Sequence, residues 1–222
     1  MMVAMALIVA CSASFADNKS EQKEIRKERQ EIRKLAKKEL DARVSKATRK
    51  EAKRLQKEGW KVKPGALPIE KQLERAYLMQ YEFDENLFPK YIMGEASSVG
   101  EHYDAAKMSA TALAVTNLAG QIQTEVTALI ENTVANRQLS PDEAASITES
   151  VMSSKNLISQ SIGRTIPVVE CYRLTKNNNT EVLVRIAYNG EMAKAAAKKA
   201  VREELEKKGE KLHEQLDSVL GF

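Results

Sequence analysis

Tyr91-Ile92-Met93-Gly94-Glu95-Ala96-Ser97-Ser98-Val99-Gly100, with the alanine-rich run that follows it as far as Arg137, is the stretch whose reading decides the fold. Tyr91 to Ala96 reads as a short strand and Ser97 to Gly100 as a turn. Beyond the turn, Ala106, Ala110, Leu113, Leu118, Ile122, Val126, Leu129 and Val134 recur at the spacing of one side of an α-helix. Small residues along that side let the helix lie close against a sheet. Ser98 and Glu101 have the spacing of a capping box, in which each side chain satisfies a backbone N–H of the first turn, so the helix is expected to start there.

Downstream, Ser140-Pro141-Asp142-Glu143 is a second capping signature, with Pro at the first helical position, and a shorter helix is expected to about Ser153. From Ser159 the period changes to two: Ile166, Val168, Tyr172 and Leu174 alternate, as do Val182, Val184, Ile186 and Tyr188. Lys176-Asn177-Asn178-Asn179 lies between them, and Asn tolerates left-handed backbone, so the pair reads as an antiparallel hairpin with Pro167 near an edge or bulge. Asn189-Gly190 then turns the chain into a last helix with the stripe Ala197, Val201, Leu205, Leu212, Leu216 and Val219, which Gly209 can break.

Upstream, Pro68 suits the first position of a helix through Ile69, Leu73, Ala76 and Met79 that stops before Pro89. Gly59 to Gly65 ends the preceding helix and starts a linker, with Trp60 packed beneath it as a joint. Asp17 to Lys57 has no Pro or Gly and a sparse apolar stripe of Ile25, Ile32, Leu35, Leu40, Val44, Ala47 and Leu55. One long charged helix is its expected state, although Arg29, Lys37 and Lys38 interrupt a two-stranded coiled-coil pattern. The net charge of +4 is concentrated there, since sixteen Lys or Arg face eight Asp or Glu between Lys19 and Glu58. Three uses of this segment stay open: a solvated tether, a helix that docks on an envelope partner or on its own domain, and a binder of polyanions, of which anionic lipid or glycan is the accessible kind. Nucleic acid is not expected, because the segment lacks aromatics on which bases could stack.

The first residues read as an export signal. Val3 to Ala10 is apolar and Ser14-Phe15-Ala16 has the small residues of a signal-peptidase site, while Ile8-Val9-Ala10-Cys11 has the form of a lipobox that would make Cys11 a lipidated N-terminus. Met1-Met2-Val3 lacks the basic residues of such a signal, which points to a start farther upstream. The expected location is the periplasm or cell envelope, at the outer membrane if Cys11 is lipidated. Once Cys11 is removed or lipidated, Cys171 is the only thiol and reads as a small buried hydrophobe.

These elements make an α+β protein: a small, mostly antiparallel sheet of three or more strands, covered on one face by long helices and preceded by a long charged helical extension. The expected divisions are a signal over residues 1–16, the extension over 17–58, a linker over 59–68 and an α+β domain over 69–222 with its core at about 90–190. The strand Ile92-Met93-Gly94-Glu95-Ala96, the run Ala105, Ala106, Ala110, Ala114, Leu118-Ala119, and the pair Val168-Val169-Glu170-Cys171-Tyr172 with Val182-Leu183-Val184-Arg185-Ile186 resemble the LPP20 lipoprotein family and the related amino-terminal domain of flagellar assembly protein T. The extension with Glu58-Gly59-Trp60-Lys61 is similar to uncharacterised exported proteins of the Bacteroidetes. The resemblance implies an envelope lipoprotein or periplasmic module without known catalysis.

Motifs for chemistry are sparse. Neither G-x-G-x-x-G nor G-x-x-x-x-G-K-[ST] occurs, and His102 and His213 have no second His or Cys at ligand spacing. Glu203-Glu204 falls among lysines, as a salt-bridged surface does, and Asp217-Ser218-Val219 has the form of a Bacteroidetes O-glycosylation acceptor. No catalytic, cofactor or metal residue is assigned, and Cys11 is the lipidation candidate. The functional expectation is a non-enzymatic envelope scaffold or partner-binding protein. An enzyme acting on an envelope polymer is the alternative, and it would need Glu95, Glu170, Tyr172 and Arg185 in one pocket.

Overall fold

The structure, a computed structural model, describes residues 45–84, 88–135, 140–208 and 212–220. Cys11, the expected signal over residues 1–16 and most of the expected charged extension lie outside them. Thr48–Phe222 forms one compact unit. In order its elements are α1 (residues 45–57), α2 (Ile69–Gln80), β1 (Tyr91–Gly100), α3 (Tyr103–Ala135), α4 (Pro141–Ser153), α5 (Lys155–Ser161), β2 (Ile166–Leu174), β3 (Thr180–Asn189), α6 (Gly190–Lys208) and α7 (His213–Leu220). The three strands form one antiparallel sheet in the order β1-β3-β2, so the α+β architecture is as the sequence implies.

The β2–β3 hairpin turns at Asn178, which has φ 59, and Thr175 closes it by donating its N–H to the Asn179 carbonyl at 2.8 Å. Pro167 sits at a register shift between Pro167 and Val169 on an edge strand, where its missing N–H leaves no gap in the ladder. Gly59, with φ +87, closes α1: its N–H bonds the Gln56 carbonyl and the Trp60 N–H bonds the Leu55 carbonyl. That pairing is a Schellman motif, and Leu55 and Trp60 make its hydrophobic contact in one buried cluster.

Two expectations about the central stretch need correction. β1 does not stop at Ala96 but continues through Ser97 to Gly100, so Ser98 pairs with Val182 and cannot cap a helix. α3 starts at Tyr103 instead. The reason is pairing: β3 is long enough to offer Thr180 to Leu183 as partners, and the ladder hydrogen bonds outweigh a local cap. The helix face is as expected at Ala106, Ala110, Leu118, Ile122 and Val126, which are buried, but Leu113 is 47% exposed and Leu129 half-buried, their places being taken by Ala114, Ala119 and Ile130; the Val134 side chain lies outside the described residues.

The sheet is covered on both faces, not one. Ile92, Val182, Val184, Ile186 and Tyr188 pack with Ala106, Ala110, Ala114, Leu118 and Ile122 of α3. Val169, Cys171 and Ala187 pack the opposite way, with Ile69, Leu73 and Ala76 of α2 and Ala52, Leu55 and Trp60. The period-two reading of β2 misses this because the irregularity at Pro167 puts both Val168 and Val169 into the second cluster. A further element went unread: α5 occupies the start of the segment expected to be strand, and buries Ile158.

Gly94 sets how closely α3 lies on β1. A Cβ there would come 2.2 Å from the Ala114 carbonyl oxygen and 2.7 Å from the Leu118 Cβ. Only a residue without a side chain fits, because the obstacle is helix backbone.

Candidate functional site

An antiparallel edge strand turns alternate residues outward, and what those residues find decides whether the edge is available. At β2 the middle of that row is taken. Tyr172 donates its N–H to the Lys61 carbonyl at 2.8 Å and accepts the Lys61 N–H at 2.7 Å, and Glu170 donates its N–H to Gln72 Oε1 at 2.7 Å. Gln72 is fixed in turn by its Nε2 on the Leu67 carbonyl at 2.7 Å.

At β1 the phase is set by Gly190, whose N–H bonds the Lys90 carbonyl at 2.7 Å. Even-numbered residues along β1 therefore face β3, and Tyr91, Met93, Glu95, Ser97 and Val99 turn their N–H and C=O groups away. Among the described residues one side chain reaches that outward row: Asn117 of α3 donates Nδ2 to the Glu95 carbonyl at 2.8 Å.

The open edge lies in a groove of about 900 Å³. One wall is the end of α2 and the turn after it, with Tyr77, Gln80, Tyr81 and Phe83; the other is Asn117, Gln121 and Glu125 of α3 with Lys155 of α5. Tyr91, Met93 and Glu95 line it from β1. Tyr77 donates its hydroxyl to Glu51 at 2.5 Å, a bond that holds its pKa up and, together with partial burial, keeps the phenol neutral. Arg185 bonds Glu95 at 2.5 Å and lies 5.9 Å from the Tyr77 ring. Glu125 is half-buried, burial raises its pKa, and among the described residues no cation pairs with it. The groove thus combines aromatic surface, free backbone groups and one uncompensated carboxylate.

Glu95, Glu170, Tyr172 and Arg185 do not share a pocket. Glu95 and Arg185 form an ion pair on the α2 side of the sheet. Glu170 is on the α3 side, where it accepts the Tyr103 hydroxyl and pairs with Lys107 at 2.8 Å. Desolvation acts to raise the Glu170 pKa, but the bonds from Lys107 and Tyr103 and the nearby charges of Lys107 and Lys63 bring it below the ordinary value. Tyr103 is shifted upward, by burial first and by Glu170 second. Lys63 stands 3.5 Å over the Tyr103 ring, and Tyr172 meets that ring edge-on at 5.6 Å. These contacts tie the segment after Trp60 to α3 and β2.

The other singled-out residues are dispersed. Cys171 is buried and its thiol is pushed up to about 12 by desolvation, which keeps it protonated and unreactive. Trp60 is buried, with the Arg173 guanidinium 4.6 Å from its ring. His102 is exposed just before α3, and the His213 and Ser218 side chains lie outside the described residues. Asp217 sits in α7, where desolvation is outweighed by Lys198 and Arg202 and its pKa is lowered. Glu203 and Glu204 both pair with Lys207, at 3.8 and 2.9 Å, as surface charges do. Among the described residues no group of three or more metal-ligating side chains comes together, and no helix is long and apolar enough to cross a membrane.

Sequence reasoning missed the α3 wall. Its signal is present: Asn117, Gln121 and Glu125 stand four apart, a polar stripe beside the apolar one, within a helix otherwise rich in Ala, Val and Leu. Compared with known proteins, the chain matches no family model, no curated protein and no solved structure.

Proposed function

We propose that this chain is a non-enzymatic cell-envelope protein, periplasmic or anchored by a lipid at Cys11, that acts by holding a protein partner. The observation that carries the reading is the contrast between the edges: β2 is covered at Tyr172 by Lys61 and at Glu170 by Gln72, while β1 keeps its outward backbone in an aromatic-walled groove. A fold with no use for that edge has means to close it, as β2 demonstrates. The export half of the reading rests on Val3 to Ala16, and the LPP20-like patterning is consistent with it. The rival reading, an enzyme acting on an envelope polymer, loses its candidate acid and base to separate ion pairs on opposite sheet faces.

Intact-mass analysis of the native protein, combined with crosslinking in cells, tests the proposal. A mature N-terminus at Asp17 or an acylated Cys11, with a crosslink from Tyr81 or Gln121 to another envelope protein, is the expected result. An unprocessed chain recovered from the cytosol would overturn the location, and crosslinks confined to other surfaces would overturn the site.

A further inference from the structure

We propose that the β1 groove takes a single extended segment of a partner protein, paired with the outward backbone of Met93 and Glu95 and placing a Lys or Arg side chain against Glu125. This rests on the partner-binding reading and names its occupant. Backbone groups come first. Met93 turns both N–H and C=O into the groove, and Glu95 adds an N–H while its carbonyl is held by Asn117. A passing strand pairs with such a row at a rise of about 3.4 Å per residue, so Tyr91 to Glu95 spans about 14 Å and engages roughly five residues.

Shape selects one chain and rejects a second copy. The edge runs between two walls, the Tyr77 to Phe83 side and the Asn117 to Glu125 side. A lone extended segment fits between them. The β1 edge of another copy of this protein carries the same two walls, which would meet before the strands reached hydrogen-bonding distance. The sheet already takes such a segment on its other side: Trp60-Lys61-Val62 is a short extended run whose Lys61 alone bridges Tyr172 antiparallel.

Charge gives the segment its chemistry. Arg185 is engaged by Glu95, whereas Glu125 forms no ion pair with the described residues, Lys155 on the same wall included, and sits half-buried. Burial raises its affinity for a proton, and an incoming ammonium or guanidinium removes that penalty. Tyr77, Tyr81 and Phe83 offer ring surface opposite, suited to β-branched or aliphatic side chains beside the cation.

The full chain is used to select from a displayed library of random peptides about eight residues long, and the enriched sequences are synthesised. The expected winners share a Lys or Arg at one position between β-branched neighbours. Their binding weakens about tenfold with Glu125→Gln, and equally when alternate peptide amides are N-methylated. Amide exchange read by NMR slows at Met93 and Glu95 on binding. Met93→Pro removes an N–H that makes no bond to β3 and is expected to abolish binding; Glu125→Gln carries the test if that variant does not fold. Absence of enrichment, or binding indifferent to N-methylation and to Glu125, overturns the proposal. Concentration-dependent self-association that protects the same amides without peptide also overturns it, in favour of a second copy. These measurements use purified protein, so they stand whether or not the native chain proves to be exported.

Discussion

At the β2 edge the chain itself supplies Lys61 and Gln72 to the outward groups of Tyr172 and Glu170, whereas at the β1 edge, among the described residues, a single side chain, Asn117, touches the outward row. Exposed strand edges invite uncontrolled pairing, and proteins blunt them by covering, charging or shortening them. Here one edge is covered and the other is set between walls. The two solutions differ in what they permit. Covering excludes every comer, while walls exclude sheets and admit a single strand.

The comparison breaks first if β1 is not seated as described. Gly94→Ala drives a methyl group into the Ala114 carbonyl, and neither strand nor helix can yield without repacking the core around Leu118. A loss of about 3 kcal/mol is expected from the urea midpoint of the full chain. A loss under about 0.5 kcal/mol would mean that α3 lies farther from the sheet.

The next test sets the edges against each other. Gln72→Leu leaves the Glu170 N–H and the Leu67 carbonyl without their buried partner and is expected to cost about 2 kcal/mol. The Glu170 amide should then exchange faster in deuterium exchange. Asn117→Leu removes one bond to the Glu95 carbonyl, but Asn117 is exposed and water in the groove can replace it, so a cost under about 1 kcal/mol is expected. Equal costs at the two positions would erase the distinction between a sealed and an open edge.

How far this was legible follows from the range over which each signal acts. Local chemistry reads well. Ser140-Pro141-Asp142-Glu143 caps α4 reciprocally, with Glu143 N–H on Ser140 Oγ at 3.3 Å and Ser140 N–H on Glu143 Oε2 at 3.0 Å. Gly59 and Asn178 take the left-handed backbone their residue types suggest. Signals that depend on a distant partner read badly. Ser98 and Glu101 carry the same spacing, yet β3 claims Ser98 for the sheet. The second covered face was hidden because Leu183, Arg185 and Ala187 alternate as a solvent-facing set would, and only α2, with α1 and Trp60, makes that face interior. The groove needs α2, β1, α3 and α5 brought together at once, so neither its walls nor its open floor is visible from periodicity.

That contrast is measurable as a pair of substitutions. Ser140→Ala should cost about 1 kcal/mol, the usual worth of a capping side chain, with Asp142 and Glu143 still favourable in the first turn. Ser98→Ala loses only an exposed bond to Ser109 Oγ at 3.0 Å and should stay within about 0.5 kcal/mol. If Ser98→Ala proved the costlier of the two, β1 would end at Ala96 and the open row would shorten with it.

The smallest expected effect concerns the titration of the sealed edge. Glu170 has its folded pKa lowered from the ordinary 4.5, because the hydrogen bonds from Lys107 and Tyr103 overcome desolvation. A carboxylate depressed by folding stabilises the fold fully above its unfolded pKa, and that contribution is lost as the pH falls through the folded one. The window therefore opens at about pH 4.5 and extends downward. Glu170→Gln cannot pair with Lys107 at any pH, so it should be less stable than the parent near pH 7. Lowering the pH to about 3, well below the unfolded value, removes part or all of that contribution and should narrow the gap. Denaturant midpoints for both proteins at the two pH values give the answer. A gap that stays constant would mean that the carboxylate contributes through shape alone, and that the ionic link between α3 and β2 adds nothing to the closure of that edge.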